Sequence, residues 1–237
     1  MNRDNCATLT PPLYNNPDKG AEITGFRLEL IHFLRTPLRS VREVLSEVSG
    51  VDSVEDFFRV QSLESKKRLL LRQMKSVQPL SGSYTLNLSV RMLEDSAFIK
   101  QLAEWQHEHK MILEVQDPGE LLPLNNAGRQ RAFSALRSLA DCGYRIWLDD
   151  LYPEYLQAWD RSGIRFDAVK MDCHLFRQLS HSQYVFDAMV QRYHQTGRQV
   201  IVEGIETVED YILCLRGLAD AIQGYFFKSE WIRLAAC

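Results

Sequence analysis

The 237-residue chain is long enough for one large domain, and a composition of 45% apolar and 25% charged residues excludes disordered and fibrous classes. A net charge of −3 gives no global attraction to nucleic acid or to an anionic membrane, and no apolar run approaches membrane-spanning length. Five widely spaced cysteines (Cys6, Cys142, Cys173, Cys214 and Cys237) form no Cys-x-x-Cys pair, which speaks against a disulfide framework or zinc site and for a reducing cytoplasm.

Residues 1–20, polar and rich in Pro and Asn, lack the apolar core of a signal peptide and read as a flexible N-terminal arm before a single domain over 21–237. The first strand signal is 26–33 (FRLELIHF). Residues 34–54 carry mixed signals and read as a short helix plus a loop. The basic stretch 64–75 (ESKKRLLLRQMK) reads as a helix with a solvated charged face and with Leu69, Leu70 and Met74 turned inward. Further strand signals lie at 84–88, 111–115, 144–149, 166–170, 199–203 and 221–225. Between them, 128–141 places Phe133, Leu136 and Leu139 at helical spacing, and 183–196 does so with Val185, Met189, Val190 and Tyr193. Segment 207–216 opens on Thr207 with Asp210 three residues later, a helix-start signal. Strands alternating with helices predict an α/β fold with parallel strands, either a barrel or a doubly wound sheet. No GxGxxG or GxxxxGK[ST] segment supports a nucleotide-binding open sheet.

Nearly every strand signal ends in a polar or ionisable residue: Glu29, Asn87, Glu114, Asp149 with Asp150, Lys170 with Asp172, Glu203 with Glu206, and Gln223. In a parallel barrel such ends share one rim, where active sites form. Two carboxylates about 5 Å apart repel by roughly 3 kcal/mol at an effective dielectric near 20, so a shared rim calls for protons or cations. An oxygen-only ligand set suits Mg²⁺ or Mn²⁺, which can activate water against a phosphate.

The segments LNLSVRML, ILEVQD, WLDD, FDAVKMD, VIVEGIET and IQGYFF, in this order, resemble the EAL-domain family over roughly residues 21–235. That resemblance implies a modified TIM (β/α)8-type barrel and the chemistry of bacterial cyclic di-GMP phosphodiesterases. It places the signature Glu at Glu29 and the metal ligands at Glu29, Asn87, Glu114, Asp149, Asp150 and Glu203. Lys170 falls at the water-orienting lysine, Glu206 at the companion of Glu203, and Gln223 near the catalytic water. No GGDEF, sensor or response-regulator segment accompanies these motifs, so the expectation is a stand-alone EAL-like protein.

The departures cluster at substrate handling. After Asp149-Asp150 the family reads Phe-Gly-Thr-Gly; this chain reads Leu151-Tyr152-Pro153-Glu154, with two glycines lost and a proline gained. The loop-anchoring Glu becomes Asp117, and the phosphate-contacting Arg four residues past the signature Glu falls at Phe33, with Arg35 two residues further on. The expectation is therefore a degenerate EAL-like regulator that acts by protein–protein binding, as stand-alone enteric relatives do on the flagellar master transcription regulator. Leu151, Tyr152 and Tyr155 would be exposed for a partner, and cyclic di-GMP binding would be weak or absent. The alternatives are an active Mg²⁺/Mn²⁺ phosphodiesterase that linearises cyclic di-GMP to pGpG, and a receptor that binds without cutting.

Overall fold

The computed structural model describes residues 21–36, 40–105 and 111–233; the expected arm at 1–20 lies outside the described residues, as do Cys6 and Cys237. Eight strands form a closed barrel: β1 (Glu22–Phe33), β2 (Ser40–Ser49), β3 (Ser83–Ser89), β4 (Met111–Gln116), β5 (Arg145–Leu148), β6 (Ala168–Met171), β7 (Val200–Val202) and β8 (Ala221–Gln223). β2 to β8 run parallel in chain order, and β1 closes the ring by pairing antiparallel with both β2 and β8. A short β9 (Glu230–Arg233) adds antiparallel to Gly25–Leu28.

Around the barrel lie α1 (Val54–Arg59), α2 (Leu63–Val77), α3 (Ser96–Ala103), α4 (Asn126–Asp141), α5 (Leu156–Asp160), α6 (Cys173–Leu179), α7 (Gln183–Thr196) and α8 (Val208–Arg216). The start of α8 is the capping box expected from Thr207 and Asp210: each side chain accepts the other's backbone N–H. In α4, Phe133, Leu136 and Leu139 are buried as their spacing predicts. In α7 the buried set is Phe186, Val190, Tyr193 and Thr196, while Val185 faces solvent, a one-residue rotation of the expected face. In α2, Leu69, Leu70 and Met74 are buried, but so is Lys67, which pairs with the Asp95 carboxylate that caps α3. The basic stretch is thus only partly a solvated face.

Residues 40–49 are a strand, not the short helix and loop that the mixed signals predict. The signal fails for a physical reason. Every second residue of β2 points into the barrel, and two of those inward positions, Glu43 and Glu47, carry charge instead of the apolar side chains a strand pattern requires.

Close backbone approach fixes the end of β8. A Cβ on Gly224 would lie 2.3 Å from both the N and O atoms of Ile205. Those same atoms are used: Ile205 N donates to the Gln223 carbonyl and its carbonyl accepts from Phe226 N. Gly224→Ala is therefore expected to lower the unfolding free energy by at least about 2 kcal/mol, read from urea denaturation; a change within a few tenths would show that this turn relaxes freely.

Candidate metal centre at the barrel mouth

The barrel interior is built in two layers. Its floor is apolar: Ile31, Phe33, Val41, Ile112, Trp147, Ala168, Ile201 and Ala221 form one buried cluster. Two residues onward along five of those strands stand Glu114, Asp149, Lys170, Glu203 and Gln223, because a strand returns to the same face every second residue. The layer above the floor is therefore polar, at the C-terminal ends of the parallel strands, where barrel folds carry their chemistry.

Lys170 is the hub of that layer. Its side chain is 1% exposed, and its Nζ lies 2.5 Å from Glu114 Oε1, 2.6 Å from Glu203 Oε1, 3.1 Å from Asp149 Oδ1 and 3.2 Å from Glu43 Oε2. Burial alone would lower the ammonium's pKa; the charges of Asp149, Glu114, Glu203 and Glu43 outweigh it and hold the group well above its ordinary value. Lys170 is thus a permanent cation that orients a neighbour by donating, and not a base.

Glu43 completes the hub, and the sequence reading missed it. Its carboxylate accepts from Gln223 Nε2 at 2.7 Å and from Asn87 Nδ2 at 3.4 Å. Burial raises its pKa, but Lys170 and these hydrogen bonds reverse the sign and hold it ionised. Glu29, the expected signature Glu, stands beside Glu43 across the β1–β2 pair and accepts from Gln223 Nε2 at 3.2 Å, yet its closest charged partner is Arg27 at 2.5 Å. A sequence signal was available, since Glu43-Val44-Leu45 keeps the Glu-x-Leu order that 29–31 lacks.

Shifting the signature position to Glu43 moves the arginine position as well. Phe33 is a floor residue, 1% exposed and below the charged layer, so it makes no altered substrate contact. An arginine placed there would bury a guanidinium among apolar side chains. Four residues past Glu43 stands Glu47, ion-paired with Arg27 Nε at 3.0 Å.

The other expected residues divide. Asn87, Glu114, Asp149, Asp150, Lys170, Glu203 and Gln223 converge on the mouth. Glu206 does not: it is exposed and lies 3.5 Å from Arg177 of α6. Asp172 caps α6 through the His174 and Leu175 N–H groups.

Three carboxylates, Glu43, Glu114 and Asp149, bring ligand atoms within 4.8 Å of one another, as do Asp149, Asp150 and Glu203. Burial raises the Glu114, Glu203 and Asp149 pKa values despite Lys170, and neighbouring carboxylates add to the rise. Asp150 is pushed to about 7 by burial and then by the charge of Asp149. Asn87 Oδ1, Glu114 Oε2 and Gln223 Oε1 are buried without a hydrogen-bond partner among the described residues. Unpartnered buried acceptors beside excess negative charge fit hard divalent cations held by oxygen. Two triads sharing Asp149 fit two of them.

The replaced loop is packed, not open. Leu151 is fully buried, and Tyr152 and Tyr155 are half-buried against the core, so the expectation of an exposed apolar surface at these three residues is overturned. Leu151 N donates to the Lys170 carbonyl at 3.1 Å, and the Tyr193 hydroxyl donates to the Leu151 carbonyl. The Tyr152 hydroxyl donates to Asp172, and Pro153 opens a 3₁₀ turn over Pro153–Tyr155. Tyr155 covers Gly119, where a Cβ would meet its ring at 2.9 Å. Asp117 and Asp150, each two residues past the paired Val115 and Leu148 of the neighbouring strands β4 and β5, adopt left-handed backbone with φ of 51° and 41°. Such strain in non-glycine residues concentrates where function demands a geometry.

Above the charged layer opens a cavity of about 830 Å³. Arg27, Asn87, Asp117, Asp150, Tyr152 and Tyr155 are among its walls.

Comparison with known proteins agrees with this architecture. The sequence profile described as the EAL domain matches residues 51–230. The signaling protein YkoW of Bacillus subtilis is 25% identical over 154 residues, a match covering 62% of this chain and 19% of that protein. The chain therefore spans about a fifth of the length of that curated relative. Among solved structures, the FimX EAL domain of Pseudomonas aeruginosa bound to c-di-GMP superposes with a TM-score of 0.71 at 14% identity, covering 86% of this chain and 89% of that one. An EAL domain protein of Listeria monocytogenes gives 0.67 at 19% identity over 86% and 87%. The manganese/cy-diGMP complex of Klebsiella pneumoniae BlrP1 gives 0.69 at 19% identity over 94% and 62%. These structural likenesses carry the fold, and no helix among the described residues is long and apolar enough to cross a membrane. With the profile spanning most of the sequence and the barrel closed as in those structures, the chain belongs to the EAL domain family.

Proposed function

We propose that the mouth of this barrel binds cyclic di-GMP with divalent cations and opens it to pGpG. The observation that carries the reading is the charge imbalance of the site. Five carboxylates, Glu43, Glu114, Asp149, Asp150 and Glu203, face one ammonium, with buried acceptor atoms left unpartnered. A protein-binding surface has no need of such a cluster, and closing the ring without cations costs repulsion. Mg²⁺ or Mn²⁺ held there would lower the pKa of a bound water and clamp phosphoryl oxygens. Glu43, Asn87, Glu114, Asp149, Asp150 and Glu203 are the residues placed to hold them. Lys170 orients the water, and Gln223 fixes Glu43. The complexes of BlrP1 with manganese and c-di-GMP, and of FimX with c-di-GMP, support the choice of ligand.

The test is incubation of the purified protein with Mn²⁺ and cyclic di-GMP, followed by chromatography. Appearance of pGpG is expected; none with protein in excess over substrate rejects the reading.

A second reading keeps a separate observation. α8 turns Val208, Ile212 and Leu215 to solvent at i, i+4 and i+7, an apolar stripe that nothing covers among the described residues. It favours a regulator that works by holding another protein, the flagellar master transcription regulator being the proposed partner. Co-purification of that regulator with the wild-type chain, lost on Ile212→Glu, supports it; no complex at micromolar concentrations removes it.

A further inference from the structure

Resting on the cyclic di-GMP reading above, we propose that Arg27 is the guanidinium that grips a phosphodiester of the bound dinucleotide. Arg27 stands on β1 two residues from Glu29, and its Cα pairs with that of Leu45 on β2, one step up the wall from the Glu29–Glu43 pair. It lines the cavity together with Asn87 and Asp150, so it faces the same space as the metal-holding residues. Its side chain is 27% exposed, enough for a ligand to reach and desolvated enough for a charge-assisted bond to count.

Two carboxylates hold it in place. Nη1 lies 2.5 Å from Glu29 Oε1 and Nε lies 3.0 Å from Glu47 Oε1. Nε is buried without a hydrogen-bond partner among the described residues, so these carboxylates do not use all of the guanidinium's donors. The other cavity arginine is differently placed: Arg59 is 73% exposed and ion-paired with Asp56 on its own helix. Lys66 also lines the cavity, as a point charge without the fork geometry that phosphate oxygens favour. The carboxylates that steady Arg27 also weaken it, because Glu29 and Glu47 together outweigh its single positive charge. Glu47 therefore sets how much of the guanidinium's field reaches a ligand.

Calorimetry of cyclic di-GMP binding in Ca²⁺, compared across variants, tests this. Arg27→Gln should weaken binding roughly ten- to a hundredfold. Glu47→Gln should tighten it, because the guanidinium loses a competing carboxylate. Arg27→Lys should fall between wild type and Arg27→Gln, and Arg59→Gln should match wild type. Thermal midpoints measured with Mn²⁺ identify any variant that is merely unfolded, and Glu47→Gln, a gain, is immune to that explanation. If wild type binds and Arg27→Gln binds within twofold of it, the assignment is overturned. Equal losses in Arg27→Gln and Arg59→Gln overturn it too, by showing a diffuse field. A wild type that does not bind at all overturns the reading of the site itself, and this inference with it.

Discussion

Metal-free protein carrying Lys170→Met is expected to lose about 3–5 kcal/mol of unfolding free energy near neutral pH, the usual cost of removing one partner of a buried ion pair. Lys170 is the ammonium that touches Glu43, Glu114, Asp149 and Glu203, all within 3.2 Å and all at the centre of a closed barrel. Without it, Glu43 loses the charge that keeps it ionised, and each remaining carboxylate must take a proton or repel its neighbours. Methionine fills the volume without adding a polar atom, so the loss reports charge and not packing. A second change, Glu114→Gln, removes one of the stranded carboxylates and should return part of the stability. Hydrolysis, where wild type shows it, should vanish even in saturating Mn²⁺, since nothing then orients the water. Urea denaturation of the two variants beside wild type is the measurement. Unchanged stability in Lys170→Met would mean that protons and not the ammonium neutralise the layer, and the hub would have to be abandoned.

The order of charged and apolar residues made most of this barrel legible from sequence. From β4 to β8, a floor residue is followed two places later by a polar one: Ile112 by Glu114, Trp147 by Asp149, Ala168 by Lys170, Ile201 by Glu203 and Ala221 by Gln223. Short apolar runs that end in one polar residue are easy to find, and the candidate ligand set follows directly. β2 was illegible because the site itself occupies its inward face: Glu43 and Glu47 stand where an amphipathic strand would show hydrophobes. Missing that strand left Glu43 out of the candidate set, and Phe33, read as a substrate contact, stands in the apolar floor.

The loop after Asp150 shows a different limit. Loss of its glycines is plain in the sequence, and the structure does hold Asp150 in left-handed backbone without one. What becomes of Leu151, Tyr152 and Tyr155 depends on partners far along the chain. Tyr193 reaches the Leu151 carbonyl from α7, Asp172 takes the Tyr152 hydroxyl, and Gly119 leaves room for the Tyr155 ring. Contacts across 20 to 42 residues of separation leave no local periodicity to read. One ground for expecting a dead site, an exposed loop, disappears with these placements; the arginine is still absent, because the position four residues past Glu43 holds Glu47. The glycine loss remains as a genuine departure.

Thermal midpoints of the metal-free protein should fall as pH rises from about 4.5 to 7, and the stabilisation given by Mn²⁺ should grow over the same interval. Asp150 moves from an ordinary 3.8 to about 7 in the folded protein, and Glu114, Glu203 and Asp149 also move upward, chiefly through burial. A carboxyl whose folded pKa is raised contributes its full stability below the unfolded value, where both states hold the proton. As pH climbs, the unfolded chain ionises first and gains, so the contribution is lost progressively until the folded group ionises too. Glu43 works in the opposite sense, but its lowered pKa places its contribution below the ordinary 4.5, so it is already complete within this window. Divalent cations need the ionised ligands, so their binding competes with protons and strengthens with pH. Melting curves by circular dichroism, with EDTA and with Mn²⁺, measure both trends at once. Asp150→Asn should flatten the part nearest pH 7, because it removes the group that titrates there. Parallel curves, with a metal-induced shift that does not change with pH, would mean that these carboxylates do not hold the cation and that the charged layer is structural.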